Sequence, residues 1–173
     1  MKNTGLIREY AGKVPVVHPE AFLADGCSVI GDVEIGEGTS IWYGAVVRAD
    51  FDSIRIGREC SIQDNAVVHP VVGTPVIIGD RVTVGHGAIL HACRIGCDVL
   101  IGMGAIVLDG AVVEDGAIVG AGAVVPPGAV VPARTMVVGV PARPIRELSS
   151  EAVGQTREQA LAYVELAKRH REF

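Results

Sequence analysis

Aromatic residues are scarce in this 173-residue chain, at 4%, although hydrophobic residues make up 49%. The apolar content is therefore small and β-branched, which favours strands over other elements. Positive charge is not concentrated anywhere. The net charge is −5 and no basic cluster occurs, which disfavours nucleic acid as a partner, because such binding needs a basic footprint. No apolar run approaches the ~18 residues that span a bilayer, so no membrane partner is expected. The opening residues MKNTGLIREY carry no apolar leader segment; no signal peptide is expected, and a cytoplasmic location follows as the default. Cysteine is sparse as well: Cys27, Cys60, Cys93 and Cys97 are the four present, and a reducing compartment would leave them as free thiols.

Glycine, by contrast, is abundant, with 22 residues, and its placement is regular. Residues 104 to 133 read GAIVLD GAVVED GAIVGA GAVVPP GAVVPA. An aliphatic residue recurs every six positions at Val107, Val113, Val119, Val125 and Val131. The same frame runs outward through Val17, Leu23, Val29, Ile35, Ile41 and Val47, then Ile56, Ile62 and Val68, then Ile78, Val84 and Leu90, then Ile95, Ile101 and on to Val137. It slips three times: three extra residues follow Val47, four follow Val68, and one is missing after Leu90.

Call the aliphatic position i. Strand alternation puts i and i−2 on one face, and i−2 is small: Ala21, Cys27, Thr39, Ala45, Cys60, Ala66, Ala88, Cys93 and Ala105. Short strands separated by turns, each with one buried face, describe a parallel β-solenoid. Cys27, Cys60 and Cys93 occupy the small slot and read as core packing; Cys97 falls on a turn with no assigned role. Position i−1 points outward yet is also aliphatic at Ile89, Ile106, Val112, Ile118, Val124 and Val130. Such faces need cover. One cover is the C-terminal stretch TREQALAYVELAKRHREF, where Thr156 and Gln159 form a T-x-x-Q capping box and Ala160, Leu161, Val164 and Ala167 make a helical apolar stripe. The remaining apolar surface argues for oligomerisation. The expected organisation is a single domain, with residues 1–148 as the repeat solenoid and 149–173 as a helix packed alongside.

These [LIV]-G-x-x-x-x repeats, with the ending VVGVPARPIREL, resemble the left-handed parallel β-helix family over about residues 14 to 141. That resemblance implies an all-β triangular prism, three repeats per coil, a left hand and commonly a trimer. Counting repeats in threes puts Val47, Val68 and Leu90 at one corner on successive coils, ~4.8 Å apart. The residues after them are Arg48, His69 and His91. Ile41, Ile62 and Val84 share another corner, followed two residues on by Tyr43, Asp64 and His86. His86 therefore belongs to a different edge of the prism from His69 and His91, and two chains could bring all three together where one could not. Three neutral imidazoles with an open fourth position make a catalytic zinc site. His18 and His170 read as surface residues.

The combination RAD, QDNAVVH and GHGAILH resembles the γ-class carbonic anhydrase family. This implies His69, His86 and His91 as metal ligands, and Arg48 and Asp50 as a pair that links subunits and lines the site. It implies Gln63 beside the metal-bound hydroxide and Asp64 as a structural acid next to it. Tyr163 resembles a tyrosine that approaches the metal in shorter bacterial members; packing on the helix face is its alternative reading. The implied activity is that of a carbonate dehydratase, a lyase: reversible hydration of CO2 to bicarbonate by metal-bound hydroxide at sites shared between subunits of a homotrimer. The implied cofactor is Zn2+, with Fe2+ or Co2+ as alternatives that histidine ligation does not discriminate. The best-known archaeal members carry an acidic proton-shuttle loop; here Phe51 follows Asp50, and the loop PVVGTP has no acid. The chain is thus more similar to the shorter homologues, some labelled ferripyochelin-binding. Two alternatives stay open at this point: a non-catalytic metal-binding, siderophore-binding or scaffold protein, and a hexapeptide acyltransferase using acetyl-CoA.

Overall fold

The six-residue period is realised as short parallel strands stacked coil upon coil, most of them two residues long, such as Ile106–Val107, Val112–Val113 and Ile118–Val119. The computed structural model describes residues 5–172, which form a parallel β-solenoid of about seven turns and one C-terminal helix. In these two-residue strands the second residue points inward. Val107, Val113 and Val119 are all 0% exposed, so each repeat adds one aliphatic side chain to a continuous core.

Register follows the repeat count. One column runs Val47, Val68, Leu90, Val107, Val125. A second runs Ile41, Ile62, Val84, Ile101, Val119, Val137, and a third Ile56, Ile78, Ile95, Val113, Val131. The second column belongs to an 8-stranded sheet. The other two merge into a 12-stranded sheet, because Ser28–Ile35 and Val46–Ile56 stay extended around a corner. The three extra residues after Val47 are absorbed in the second of these long strands. The four after Val68 form a small projecting loop closed by an antiparallel bridge between Val71 and Thr74.

The corners explain the glycines. Position i+3 takes a left-handed conformation on coil after coil, as at Gly104 (φ +64°), and side-chain-bearing residues such as Glu59 and Arg81 (φ +56° each) are held there too. Position i+1 is tight for another reason. A Cβ on Gly102 would lie 2.5 Å from the backbone nitrogen of Ala121 on the next coil, so any larger residue would force the coils apart.

The helix runs from Ser150 to His170, and Ser149 is its N-cap, its hydroxyl accepting from the Ala152 N–H at 3.2 Å. The expected capping box at Thr156 is therefore corrected: Thr156 lies inside the helix, buried, its hydroxyl donating to the Ala152 carbonyl at 3.3 Å. Gly154 lowers helix propensity, which hid the first two turns, but Val153 packs over Gly116 and tertiary contact prevails. The helix lies on the 8-stranded face. Ala167 with Tyr163 and Leu166 closes over Phe22, Ala24 and Trp42. His170, expected on the surface, is instead half-buried, edge-on to Trp42 at 5.1 Å and hydrogen-bonded to the Tyr43 hydroxyl at 3.0 Å. His18 accepts from the Glu20 N–H at 3.1 Å and stays at the periphery.

All four cysteines are free, and Cys27, Cys60 and Cys93 are buried. Burial pushes the Cys27 thiol up to about 11 and those of Cys60 and Cys93 up to about 12. Thiolates at these sites are suppressed, which makes them unreactive. Cys97 is half-buried on its turn and accepts from the Asp80 N–H at 3.4 Å. Native protein is expected to react with an aromatic disulfide reagent at no more than one thiol per chain, Cys97, with the other three released only on unfolding. Rapid native labelling of two or more thiols would contradict this packing.

Candidate metal centre

Two strands of neighbouring coils, Val67–His69 and Ile89–His91, pair in parallel with His91 opposite His69. Their rings stack at 5.3 Å between centroids with a tilt of 35°. His69 Nδ1 and His91 Nε2 face each other at 3.2 Å. Each ring is held by its other nitrogen. His69 Nε2 donates to Asp50 Oδ1 at 2.9 Å, and His91 Nδ1 donates to Asp109 Oδ1 at 2.5 Å. Ionised carboxylates only accept, so those nitrogens carry the protons; in the neutral rings the facing nitrogens then hold the lone pairs. The His69 side chain is 11% exposed and that of His91 31%, so the pair sits at the surface with His69 the deeper.

Asp50 is fixed from both sides. Burial alone would raise its carboxyl pKa, but hydrogen bonds from His69 and Arg48 and the Arg48 charge prevail, holding it below the usual carboxylate range. Arg48 forms its ion pair with Asp50 and lies one coil from His69 in the same column. Phe51, 59% exposed, sets its ring edge-on to His69 at 5.7 Å.

The other expected residues gather on a different edge. His86 Nδ1 lies 2.8 Å from Asp64 Oδ2, on a side chain 50% exposed. Gln63, 4% exposed, precedes Asp64. Gln63, Thr83, His86, Met103, Gln159 and Tyr163 line a groove of about 420 Å³ between the solenoid face and the helix. Tyr163 also packs edge-on against Trp42 at 6.0 Å. One chain thus brings Arg48, Asp50, His69 and His91 together, and separately Gln63, Asp64, His86 and Tyr163. It does not bring the two groups to one point. Among the described residues no cluster of three or more His, Cys, Asp or Glu could hold a metal within one chain.

The residues on the first edge nonetheless fit such a group. Two donors on a tetrahedral ion at ~2.0–2.1 Å lie about 3.3 Å apart, close to the observed 3.2 Å. The remote nitrogens bonded to carboxylates are the usual support of metal-binding imidazoles. Sequence reading missed Asp109. Leu90 and Val107 share a column, so counting one coil further would have placed Asp109 beside Ala92 and hence near His91. Phe51 was noticed only as a residue that is not acidic.

The repeat family described as bacterial transferase hexapeptide (six repeats) matches residues 15–49 and 92–127, and the one described as hexapeptide repeat of succinyl-transferase matches 54–92. A Methanocaldococcus jannaschii protein named probable carbonic anhydrase is 55% identical over 146 residues, covering 84% of this chain and 92% of its own. Gamma carbonic anhydrase 1, mitochondrial, of Arabidopsis thaliana is 44% identical over 164 residues, covering 91% of this chain and 60% of its own. The chain belongs to the γ-class carbonic anhydrase family. Among solved structures, a hexapeptide transferase family protein from Anaplasma phagocytophilum superposes with a TM-score of 0.91 at 40% identity, over 94% of this chain and 96% of that one. The γ-class pattern is therefore carried on a scaffold shared with proteins described as transferases.

Within this γ-class chain one polar atom is out of place. Thr83 Oγ1 is buried without a hydrogen-bond partner among the described residues, beneath the groove beside Gln63. An unpaired buried hydroxyl costs about 1–3 kcal/mol. Thr83→Val keeps the shape and removes that cost. Urea denaturation is expected to show stabilisation of about 1 kcal/mol; a loss of stability would mean that the hydroxyl has a partner.

Proposed function

We propose that the chain is a metal-dependent carbonic anhydrase that interconverts CO2 and bicarbonate, with each site completed by two subunits of a homotrimer. The observation that carries the reading is the pair of half-sites: two facing imidazoles on one edge, a third on another, each with a carboxylate beside it. His69 and His91 would hold the metal from one subunit and His86 from its neighbour. Zn2+ suits three neutral imidazoles, with Fe2+ and Co2+ as alternatives of the same donor preference. When bound, the metal supplies a hydroxide nucleophile near neutral pH.

The chain's own residues do the rest. Asp50, Asp64 and Asp109 keep each imidazole in the tautomer that presents a lone pair. Gln63, buried beside His86, is positioned to orient the nucleophile by hydrogen bonding, and Tyr163 from the helix closes the same side. Arg48 and Asp50 lock each other at the edge where the neighbour must dock, so both ligand placement and subunit approach depend on that pair. Phe51 covers His69 and excludes water there. Phe51 follows Asp50 and cannot accept a proton, so a fast shuttle at that position is not expected. Residues 1–148 and 149–173 act as one folding unit in this reading. A cytoplasmic location is part of it too, supported by four free thiols, and no described helix is long and apolar enough to cross a membrane.

Stopped-flow CO2 hydration tests the proposal on protein loaded with Zn2+ and, anaerobically, with Fe2+, with metal content measured on the same samples. His86→Ala is expected to lose the bound metal although His69 and His91 remain, and activity should fall by more than the ~10–100-fold typical of supporting residues. Full metal retention in that variant would contradict the shared site. Full loading of the unaltered protein without turnover would favour a metal-binding or scaffold role, and thiol release from acetyl-CoA would favour an acyltransferase.

A further inference from the structure

Two carboxylates in one column of the repeat cap the coil before them. Asp80 and Asp115 both occupy i+2, and each accepts from the backbone N–H of the i+2 residue on the preceding coil. Asp80 Oδ1 accepts from Arg58 N at 2.8 Å, and Asp115 Oδ1 from Cys97 N at 2.8 Å. Asp109 is also at i+2, and its counterpart one coil back is Ala92. Ala92 does not need it. The residue missing after Leu90 tightens that turn, Ala92 adopts φ +46°, and its N–H donates to the His69 carbonyl at 2.9 Å. Asp109 is released from capping and turns its carboxylate to His91 Nδ1 at 2.5 Å. The shortened turn leaves Asp109 no backbone N–H to cap at Ala92, and Asp64, likewise at i+2, faces His86.

We propose that Asp109 is a positioning residue of the metal centre, fixing His91 as the Nδ1–H tautomer so that Nε2 faces His69 Nδ1. The proposal rests on the metal-site reading above. Asp50 does the same for His69 through Nε2, and Asp64 lies beside His86 Nδ1 at 2.8 Å. Asp109 completes a set in which each imidazole has its own carboxylate. It is the most exposed of the three, at 48% for the side chain against 18% for Asp50 and 33% for Asp64. Its geometry is therefore held chiefly by His91, and the two side chains order each other.

Two measurements test this. In metal-free protein, nitrogen-15 NMR of the His91 ring is expected to report Nδ1–H in the unaltered chain and a mixture weighted toward Nε2–H in Asp109→Ala. The unchanged tautomer in Asp109→Ala would overturn the proposal without reference to any metal. Competition of Zn2+ against a chelator should then show affinity about 10–100-fold weaker in Asp109→Ala and a smaller loss in Asp109→Asn, which keeps an acceptor but not the charge. Asp115→Asn, altered at a capping carboxylate, should leave zinc affinity unchanged, with thermal melts of all variants run alongside. Unaltered zinc affinity in Asp109→Ala would overturn the proposal. Should that variant fail to fold, equal affinities in Asp109→Asn and the unaltered chain would do the same. Failure of the unaltered chain to bind zinc would overturn the metal-site reading first, and that result appears before any substitution is made.

Discussion

Everything in this molecule depends on the backbone hydrogen bonds between successive coils. They fix the spacing along the prism axis near 4.8 Å and the lateral register to the residue. Once Val68 is bonded beside Leu90, His69 must stand opposite His91. Once Ile62 is bonded beside Val84, Asp64 and His86 become neighbours two residues further on. Functional side chains are thus placed by a ladder built for stability. A one-residue slip in that ladder would turn every inward aliphatic outward, so the register that holds the core also holds the site.

The side chains follow from the same constraint. Coils this close favour glycine or a left-handed residue at one corner position, and small or aliphatic side chains inside. Large aromatic rings are excluded from the prism and collect outside it, where Phe22 and Trp42 pack beneath the helix and Tyr163 of the helix meets Trp42. Trp42 sends its indole N–H to the Ser40 and Ser61 hydroxyls at 2.9 and 3.0 Å, which satisfies all three groups at the buried face. The helix is therefore a lid on one face. It also carries Tyr163 into the groove beside Gln63 and His86, so the element that covers the sheet also shapes half of the candidate site.

Much of this was legible from residues alone, because a solenoid converts sequence distance into spatial position by counting. The period gave the core columns, the slips marked where residues are inserted, and counting in threes separated His86 from His69 and His91; that the residues after Val47 stay in one long strand, Val46–Ile56, was not legible. What was not legible had no period. The helix start was misread because Gly154 lowers propensity where packing by Val153 raises it. His170 was misread because its partners, Trp42 and Tyr43, lie more than a hundred residues away. Asp109 was legible in position, one coil beyond Ala92, but its turn toward His91 and away from a backbone N–H had no signal in the sequence.

The central claim is that one chain carries two incomplete half-sites, and that two chains make one whole. Subunit complementation addresses it most directly. A chain with both His69→Ala and His91→Ala and a chain with His86→Ala are prepared separately, unfolded, mixed and refolded together. Each alone should lack tightly bound metal and CO2 hydration, while the mixture should regain both in proportion to mixed oligomers, identified by native mass spectrometry. Mixed oligomers that form without regaining metal would contradict the account.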